Sequence, residues 1–404
     1  MARCDFTALR RGWRCSRLVR MCYYGRTETT LPRDARILGI ESSCDETAAA
    51  VVSNGRAILS SVIASQIDIH RKYGGVVPEL ASREHLRRIV PVVREALERS
   101  GLNLSDLDAI AVTCGPGLIG SLLVGVTYGK ALAQAVGKPL VAVNHLEGHV
   151  RAVIVEALSA GQTPQLPAVC LIVSGGHTVV YLVELAEQGA IEAAAFRYAR
   201  LGQTRDDAAG EAYDKVAKML GLGYPGGPVL DQLAKQGNPE TIRFGEPKMK
   251  GNPYDFSFSG IKTAVLYHLR AHPELEPEIE ARRKALTEGR RRAAELLALC
   301  GAHTLDLVAG FQRSVVSTLV SRTLGAAEQH AVRSVLVSGG VAANRELRET
   351  FLDQARRRGL EVFFPSIALS TDNAAMIAAA AYPRFLAGAW TTDELNAEAV
   401  LPLA

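Results

Sequence analysis

Two apolar runs in this chain end in the same way. Ile172-Val173-Ser174-Gly175-Gly176 and Leu336-Val337-Ser338-Gly339-Gly340 each place Ser-Gly-Gly directly after a strand-like stretch. Glycine lacks Cβ, so such a turn can adopt positive φ and let backbone N–H groups approach a phosphate closely. One Gly-Gly turn is usually only a turn. Two of them, with a third polar turn after Ile37–Ile40, point to a duplicated α/β fold that clamps a nucleotide between two lobes. No P-loop lysine motif is present, which excludes a Walker-type site.

Strand and helix patterns alternate around these turns. Strands are expected at Ile37–Ser43, Thr47–Val52, Ala109–Thr113, Leu140–Asn144, Ala168–Ser174, Thr178–Val183 and Ser334–Ser338, with Asn54-Gly55 as a hairpin turn. Helices are expected at Glu84–Arg99, Ser121–Val136, from His145 onward, at Asn344–Arg358, and as a buried segment over Ala374–Tyr382. The strand pairs beginning at Ile37 and Ala168 read as two copies of one theme. The expected organisation is a first lobe over 37–165, with a helix near 372–390 packing back on it, and a second lobe over 166–371. Within the second lobe, about 275–301 reads as a basic helical insertion (Arg282, Arg283, Lys284, Arg290, Arg291, Arg292). A charge run of this kind is usually a solvated face, and only sometimes a polyanion contact.

Composition removes several function classes. A hydrophobic content of 48% with 22% charged residues is ordinary for a globular chain. No run approaches the roughly 18–20 consecutive apolar residues of a membrane span, so no membrane insertion is expected. The seven cysteines form no CxxC pair, which argues against a disulfide framework and a zinc ribbon. The net charge of +4 is unevenly placed: residues 1–36 hold nine arginines, no lysine and three acids, leaving the remainder at −2. The arginine-rich start reads as a mitochondrial transit peptide, and so as a matrix location. The rest of the chain lacks an overall positive field, so any nucleic-acid contact must be a local patch.

The residues able to do chemistry sit near the strand ends. His145 and His149 are spaced i, i+4, which puts both imidazoles on one helix face where they can share a cation. The strand before them favours that over a surface pair, because ligand sites in α/β sheets lie at the carboxyl ends of strands. Asp372 is a third ligand candidate, with simple helix capping as its alternative. The spacing is neither H-E-x-x-H nor H-x-x-E-H, and Glu147 faces away from the histidines, so a metalloprotease is disfavoured. A non-catalytic ATP-binding scaffold has no need of three convergent ligands, and a sugar kinase needs a carboxylate base for which there is no clear candidate. Asn344 can cap its helix or bond a nucleotide. Asp214 can accept from ribose hydroxyls, and Gly227, in Tyr224-Pro225-Gly226-Gly227-Pro228, lets a ribose pack on backbone.

From about Ile37 to its end the chain resembles the tRNA threonylcarbamoyladenosine transferases, formerly described as O-sialoglycoprotein endopeptidases. The matching runs are Gly39–Thr47, Gly74–His85, Gly115–Leu118, Asn144–His149, Val173–Thr178, Asp206–Lys215, Tyr224–Pro228, Phe256–Thr263, Ser338–Asn344 and Thr371–Asn373. The resemblance implies the actin/Hsp70/sugar-kinase fold with two ribonuclease-H-like lobes. It implies transfer of the threonylcarbamoyl group of threonylcarbamoyl-AMP to N6 of the adenosine 3′ of the anticodon in tRNAs reading ANN codons. It also implies one divalent metal ion, iron or zinc, on His145, His149 and Asp372. The adenylate would lie on Ile172, Val173, Ser174, Gly175, Gly176, Asp214, Gly227 and Asn344, with Asp231 a weaker ribose candidate. Asp45 falls where a functional acid is expected. The partners implied are tRNA and a separate adenylate-forming enzyme. The arginine-rich extension and the long basic insertion depart from the bacterial pattern, and the former suggests a mitochondrial branch working as a homodimer.

Overall fold

The computed structural model describes residues 34–245, 249–391 and 394–404, so the expected transit peptide, residues 1–36, lies outside the described residues except for its last three, of which Arg36 already belongs to the first strand. Ten strands form two five-stranded sheets among the described residues. The first runs β3-β2-β1-β4-β5, from β1 (Arg36–Glu41), β2 (Glu46–Ser53), β3 (Ala57–Ser65), β4 (Ala109–Gly115) and β5 (Leu140–Asn144). The second runs β8-β7-β6-β9-β10, from β6 (Ala168–Val173), β7 (Thr178–Leu185), β8 (Phe196–Gln203), β9 (Ser334–Ser338) and β10 (Glu361–Phe363). The two orders match strand for strand. In each sheet the first three strands are an antiparallel meander and the last two add in parallel. The repeated theme at Ile37 and Ala168 is therefore a whole repeated sheet.

Local chemistry explains the element ends. Asn54 (φ 54) and Gly55 (φ 66) carry the positive φ that a tight hairpin needs between β2 and β3. The half-exposed strand β3 lacks a clean alternation and was not expected. The first long helix runs Pro78–Ser100, beginning before the expected Glu84 because Pro78 occupies the first helical position, where its missing N–H loses no bond. Helix Ile119–Val136 is, by length and composition alone, apolar enough to cross a membrane. That qualifies the reading that no segment reaches such a length; in this fold Val126 and Ala133 are buried in the core of the first sheet.

The basic insertion also departs from expectation. It holds helices Glu276–Thr287 and Ala293–Leu297. Arg282 is fully buried, donating to Leu220 O (2.8 Å) and Leu299 O (2.9 Å) and pairing with Glu278 (3.2 Å). A guanidinium fork satisfies several acceptors at once, so this arginine ties the insertion to the lobe. Arg283 and Arg290 pair with glutamates of the same segment.

Two helices exchange sheets. His145–Ser159 follows β5 of the first sheet, yet Leu146, Val150, Val153 and Ile154 are buried with Ala168, Cys170, Ile172 and Leu336 of the second. Ala374–Leu386 follows the last strand of the second sheet and lies on β1 of the first. The approach is so close that a Cβ on Gly39 would stand 2.2 Å from Ala374 O and 2.8 Å from Ala378 N.

Candidate active site

The point where these two helices start is the chemical centre. Asn144 ends β5 and caps the next helix, its Oδ1 accepting from Leu146 N–H at 2.9 Å. His145 and His149 then lie a turn apart, both buried, with ring centroids 4.8 Å apart. Asp372 is not the cap of the last helix. Asn373 is, accepting from Met376 N–H at 3.0 Å. The Asp372 carboxylate is left to the histidines: its Oδ1 lies 3.5 Å from His145 Nε2 and 3.2 Å from His149 Nε2.

The trio fits a metal ion. His149 Nδ1 is buried with no hydrogen-bond partner, and its Nε2 faces the Asp372 carboxylate at 3.2 Å. A buried ring nitrogen without a partner is costly unless something else satisfies it. Ligand atoms held about 2.0–2.2 Å from one tetrahedral ion lie roughly 3.3–3.6 Å apart; the two carboxylate–imidazole separations, 3.5 and 3.2 Å, fall within this range and just below it. Two nitrogens and one oxygen suit zinc or iron better than magnesium or calcium.

Groups not singled out from the sequence complete the setting. Glu41, fully buried at the end of β1, accepts from Thr113 Oγ1 at 2.7 Å and from His145 Nδ1 at 3.1 Å. Burial pushes its carboxyl up, but the adjacent His145 imidazolium more than offsets this and holds it low. Burial pulls His145 down, while Asp372 and Glu41 together push it up to about 9. Asp372 is driven well below the carboxylate range, the His145 and His149 charges overcoming burial. His177 follows the first Ser-Gly-Gly turn, and its ring centroid lies 6.2 Å from that of His145. Burial, with His145 and His149 beside it, lowers His177 to about 4, so it is neutral at pH 7. The sequence signal for Glu41 was an acid closing a buried strand; for His177 it was a histidine directly after the glycines.

The Ser-Gly-Gly turns come together as expected. Ile172 pairs with Ser338 in the parallel ladder, so both turns leave adjacent strand ends. Gly339 takes φ 96 and passes so close to Val173 that a Cβ would meet its carbonyl oxygen at 2.4 Å. Cβ atoms on Gly175, Gly176 or Gly227 would meet nothing within 4 Å, which leaves room for a ligand against backbone. Asp214 Oδ1 accepts from Gly226 N–H at 2.7 Å and fixes the turn that carries Gly227. Asn344 plays the capping role, accepting from Leu347 N–H at 2.9 Å, and donates to Gln312 Oε1 at 2.8 Å. Gln312 also donates to Asp231 Oδ1 at 3.2 Å, which brings Asn344 and Asp231 into one network.

Asp45 lies on the turn between the first two strands, among acids from both lobes. Burial raises its carboxyl, and the Asp372 charge adds to this. Burial and Asp45 raise Glu46 to about 8; burial, with Asp45 contributing, raises Asp214 to about 6. This excess of carboxylates is the field in which a divalent cation is favoured. Glu147 is turned elsewhere, its Oε2 2.5 Å from Arg384 Nη2.

Residues 57–379 match the sequence profile of the family described as tRNA N6-adenosine threonylcarbamoyltransferase. A relative of that name from Koribacter versatilis (strain Ellin345) is 57% identical over 385 residues, covering 92% of this chain and 99% of its own. Another, from Symbiobacterium thermophilum, is 50% identical over 362 residues, covering 89% and 95%. Full-length HypF, solved with phosphate and nucleotide bound, superposes with a TM-score of 0.51 at 14% identity, over 90% of this chain and 48% of that one. That last likeness concerns the fold alone, and the fold is the actin/Hsp70/sugar-kinase fold expected from the resemblance. On the profile match and these identities, the chain belongs to the tRNA N6-adenosine threonylcarbamoyltransferase family.

Proposed function

We propose that this chain transfers the threonylcarbamoyl group from threonylcarbamoyl-AMP to N6 of the adenosine 3′ of the anticodon in tRNAs reading ANN codons. The observation that carries the reading is the convergence of His145, His149 and Asp372 with the Ser174–His177 turn, through the 6.2 Å approach of His177 to His145.

The reaction is acyl transfer. The adenosine amine forms a bond to the carbamoyl carbon, the bond from that carbon to the phosphate oxygen breaks, and AMP leaves while the amine loses a proton. AMP is already a good leaving group, so the site must position, stabilise charge and accept that proton. The segment Ile172–Gly176 carries the adenylate, with the Gly175 and Gly176 N–H groups toward the phosphate, since Ser174 N–H is taken by His177 O at 2.7 Å. Asp214, Gly227, Asp231 and Asn344 hold the ribose and base. Asp45 is the candidate proton acceptor, since its raised carboxyl is a stronger base than an ordinary aspartate. His145, His149 and Asp372 would hold a divalent ion, iron or zinc, which when bound supplies Lewis acidity toward a phosphate or carbonyl oxygen. Glu41 positions His145.

The arginine-rich start supports a mitochondrial matrix location, and its departure from the bacterial pattern supports a homodimer. A fluorescent fusion with and without residues 1–36 tests the first, and light scattering the second. The reaction is tested by incubating the purified chain with threonine, bicarbonate, ATP, an adenylate-forming enzyme and tRNA, followed by mass spectrometry of the nucleosides. N6-threonylcarbamoyladenosine is expected with the wild-type chain and not with His149→Ala; its absence with the wild type overturns the reading.

A further inference from the structure

Three histidines converge at a second place, on different elements from the first site. His268 lies in the last turn of helix Ser259–Ala271, His272 directly follows that helix, and His303 is the second residue of helix Ala302–Gln329. His268 Nε2 is 2.8 Å from His303 Nε2. The His268 and His272 rings stack at 4.1 Å, and each meets His303 edge-on, at 5.1 and 4.7 Å. One ligand atom from each of the three lies within 4.8 Å of the others, and all three side chains are half-buried.

Hydrogen bonding sets the tautomer. His272 Nδ1 lies 2.8 Å from the His268 carbonyl oxygen, which can only accept. His272 therefore carries its proton on Nδ1 and presents Nε2 as a lone pair. A ring N–H held by a backbone carbonyl is the usual support of a metal-binding histidine. His268 and His303 already bring their Nε2 atoms together; one of the two must be protonated there, or both can bind one ion.

We propose that His268, His272 and His303 form a second metal site, selective for late first-row divalent ions with zinc foremost, that clamps the base of the basic insertion. The donor set is three imidazoles with no carboxylate, a composition that favours zinc, copper or nickel over magnesium or calcium. Its place in the chain gives the ion work to do. His272 and His303 bracket residues 273–302, the segment that holds Arg282 to Arg292. An ion shared by the two ends closes that loop, as any cross-link between its ends would. Binding displaces the proton shared by His268 and His303, so it strengthens as pH rises. None of this depends on the reading of the first site.

The test uses the untagged full-length chain, stripped with a chelator and titrated with zinc chloride against a chromophoric competitor. The wild type is expected to bind two ions per chain. His303→Gln and the double variant His145→Ala/His149→Ala should bind one each, and the combined variant none. Millimolar magnesium should displace neither ion. A His145→Ala/His149→Ala chain that binds no ion, or a His303→Gln chain that binds as many ions as the wild type, overturns the proposal. If His303→Gln loses its helical circular dichroism, His272→Gln replaces it with the same expected stoichiometry. In the double-variant background, zinc at 100 times its Kd should slow tryptic cleavage at Arg290–Arg292 by up to roughly 100-fold where cleavage needs local opening. His303→Gln should abolish that protection; protection that survives it also overturns the clamp.

Discussion

Replacing Glu41 with glutamine tests whether His145 is oriented for a metal by a buried carboxylate. One Glu41 oxygen receives Ser43 N–H, and the other receives Thr113 Oγ1–H (2.7 Å) and His145 Nδ1–H (3.1 Å). Glutamine keeps the shape and only one acceptor oxygen. With that oxygen toward Thr113 and His145, the new amide opposes Ser43 N–H, donor against donor. Flipped, it faces two donors instead. At least one buried donor is orphaned either way, at a cost of about 1–3 kcal/mol. At roughly 2.1 cal/mol/K of unfolding entropy per residue, a chain of this size converts that into a melting-point fall of only about 1–4 °C. The effect on metal binding is proportionally greater: losing a carboxylate behind a ligand histidine weakens affinity about 10–100-fold. Ser43 Oγ, 3.2 Å from the same nitrogen, retains part of the orientation, so the loss stays below that of removing the ligand. The assay is zinc competition at pH 8 in a His303→Gln background, beside a thermal melt. Glu41→Gln binding zinc within twofold of its parent, while His149→Ala loses binding, would refute the reasoning.

Asp214→Asn should change the pH profile of stability. Burial, with Asp45 contributing, raises Asp214 to about 6, above an unfolded value near 3.9, so its favourable contribution is complete below about pH 4 and is lost as pH climbs through 6. Asparagine removes that slope, giving about 1–3 kcal/mol more stability at pH 7.5 with weaker AMP binding; urea unfolding at pH 4 and 7.5 should show it, and parallel slopes for the two chains would count against it. Gly39→Val forces helix Ala374–Leu386 off β1 and should cost about 3 kcal/mol or more by denaturant unfolding; zinc affinity should fall with it, because Asp372 lies two residues before that helix. Arg282→Met leaves Leu220 O and Leu299 O without their donor and is expected to cost several kcal/mol, whereas exposed Arg291→Ala should stay within about 0.5 kcal/mol in the same assay.

What could be read beforehand was what local chemistry determines. The Ser-Gly-Gly turns, the Asn54-Gly55 hairpin and the i, i+4 histidines each state their geometry within a few residues. Asp372 was legible as a ligand candidate, but its freedom was not. It depends on Asn373 taking the cap, a choice between adjacent residues that differ little in capping strength. Glu41 was out of reach because its role is set by Thr113 and His145, 72 and 104 residues away. Arg282 was misread for a similar reason: its neighbours Arg283 and Lys284 suggest a solvated face, and only the folded lobe brings Leu220 O to its Nε. The crossing of helix His145–Ser159 to the second sheet was equally invisible, since apolar periodicity shows that a helix has a buried face and not which sheet it meets; the return of the last helix to the first lobe, by contrast, was expected.

The duplication explains why the chemistry sits where it does. Each sheet ends in a parallel strand, β5 or β10, and the chain beyond it supplies a helix to the other sheet. The two crossing helices begin beside each other, and the three candidate ligands come from those beginnings: His145 and His149 from one, Asp372 from just ahead of the other. The chain segments that follow the last strand of each copy thus meet at the candidate metal site. The turns after β1 and β6 are equivalent too, yet they have diverged. After β6, Ser174-Gly175-Gly176 leaves open space where side chains would stand. After β1, Glu41-Ser42-Ser43 fills it: Ser42 Oγ donates to Ser121 O at 2.9 Å, and Ser43 and Glu41 surround His145 Nδ1. Replacing Ser42 and Ser43 with glycines would therefore not create a second phosphate cradle. It would remove the Ser42 tie to Ser121 and loosen the support of the histidine, and the first measurable loss should be metal affinity with no gain in AMP binding.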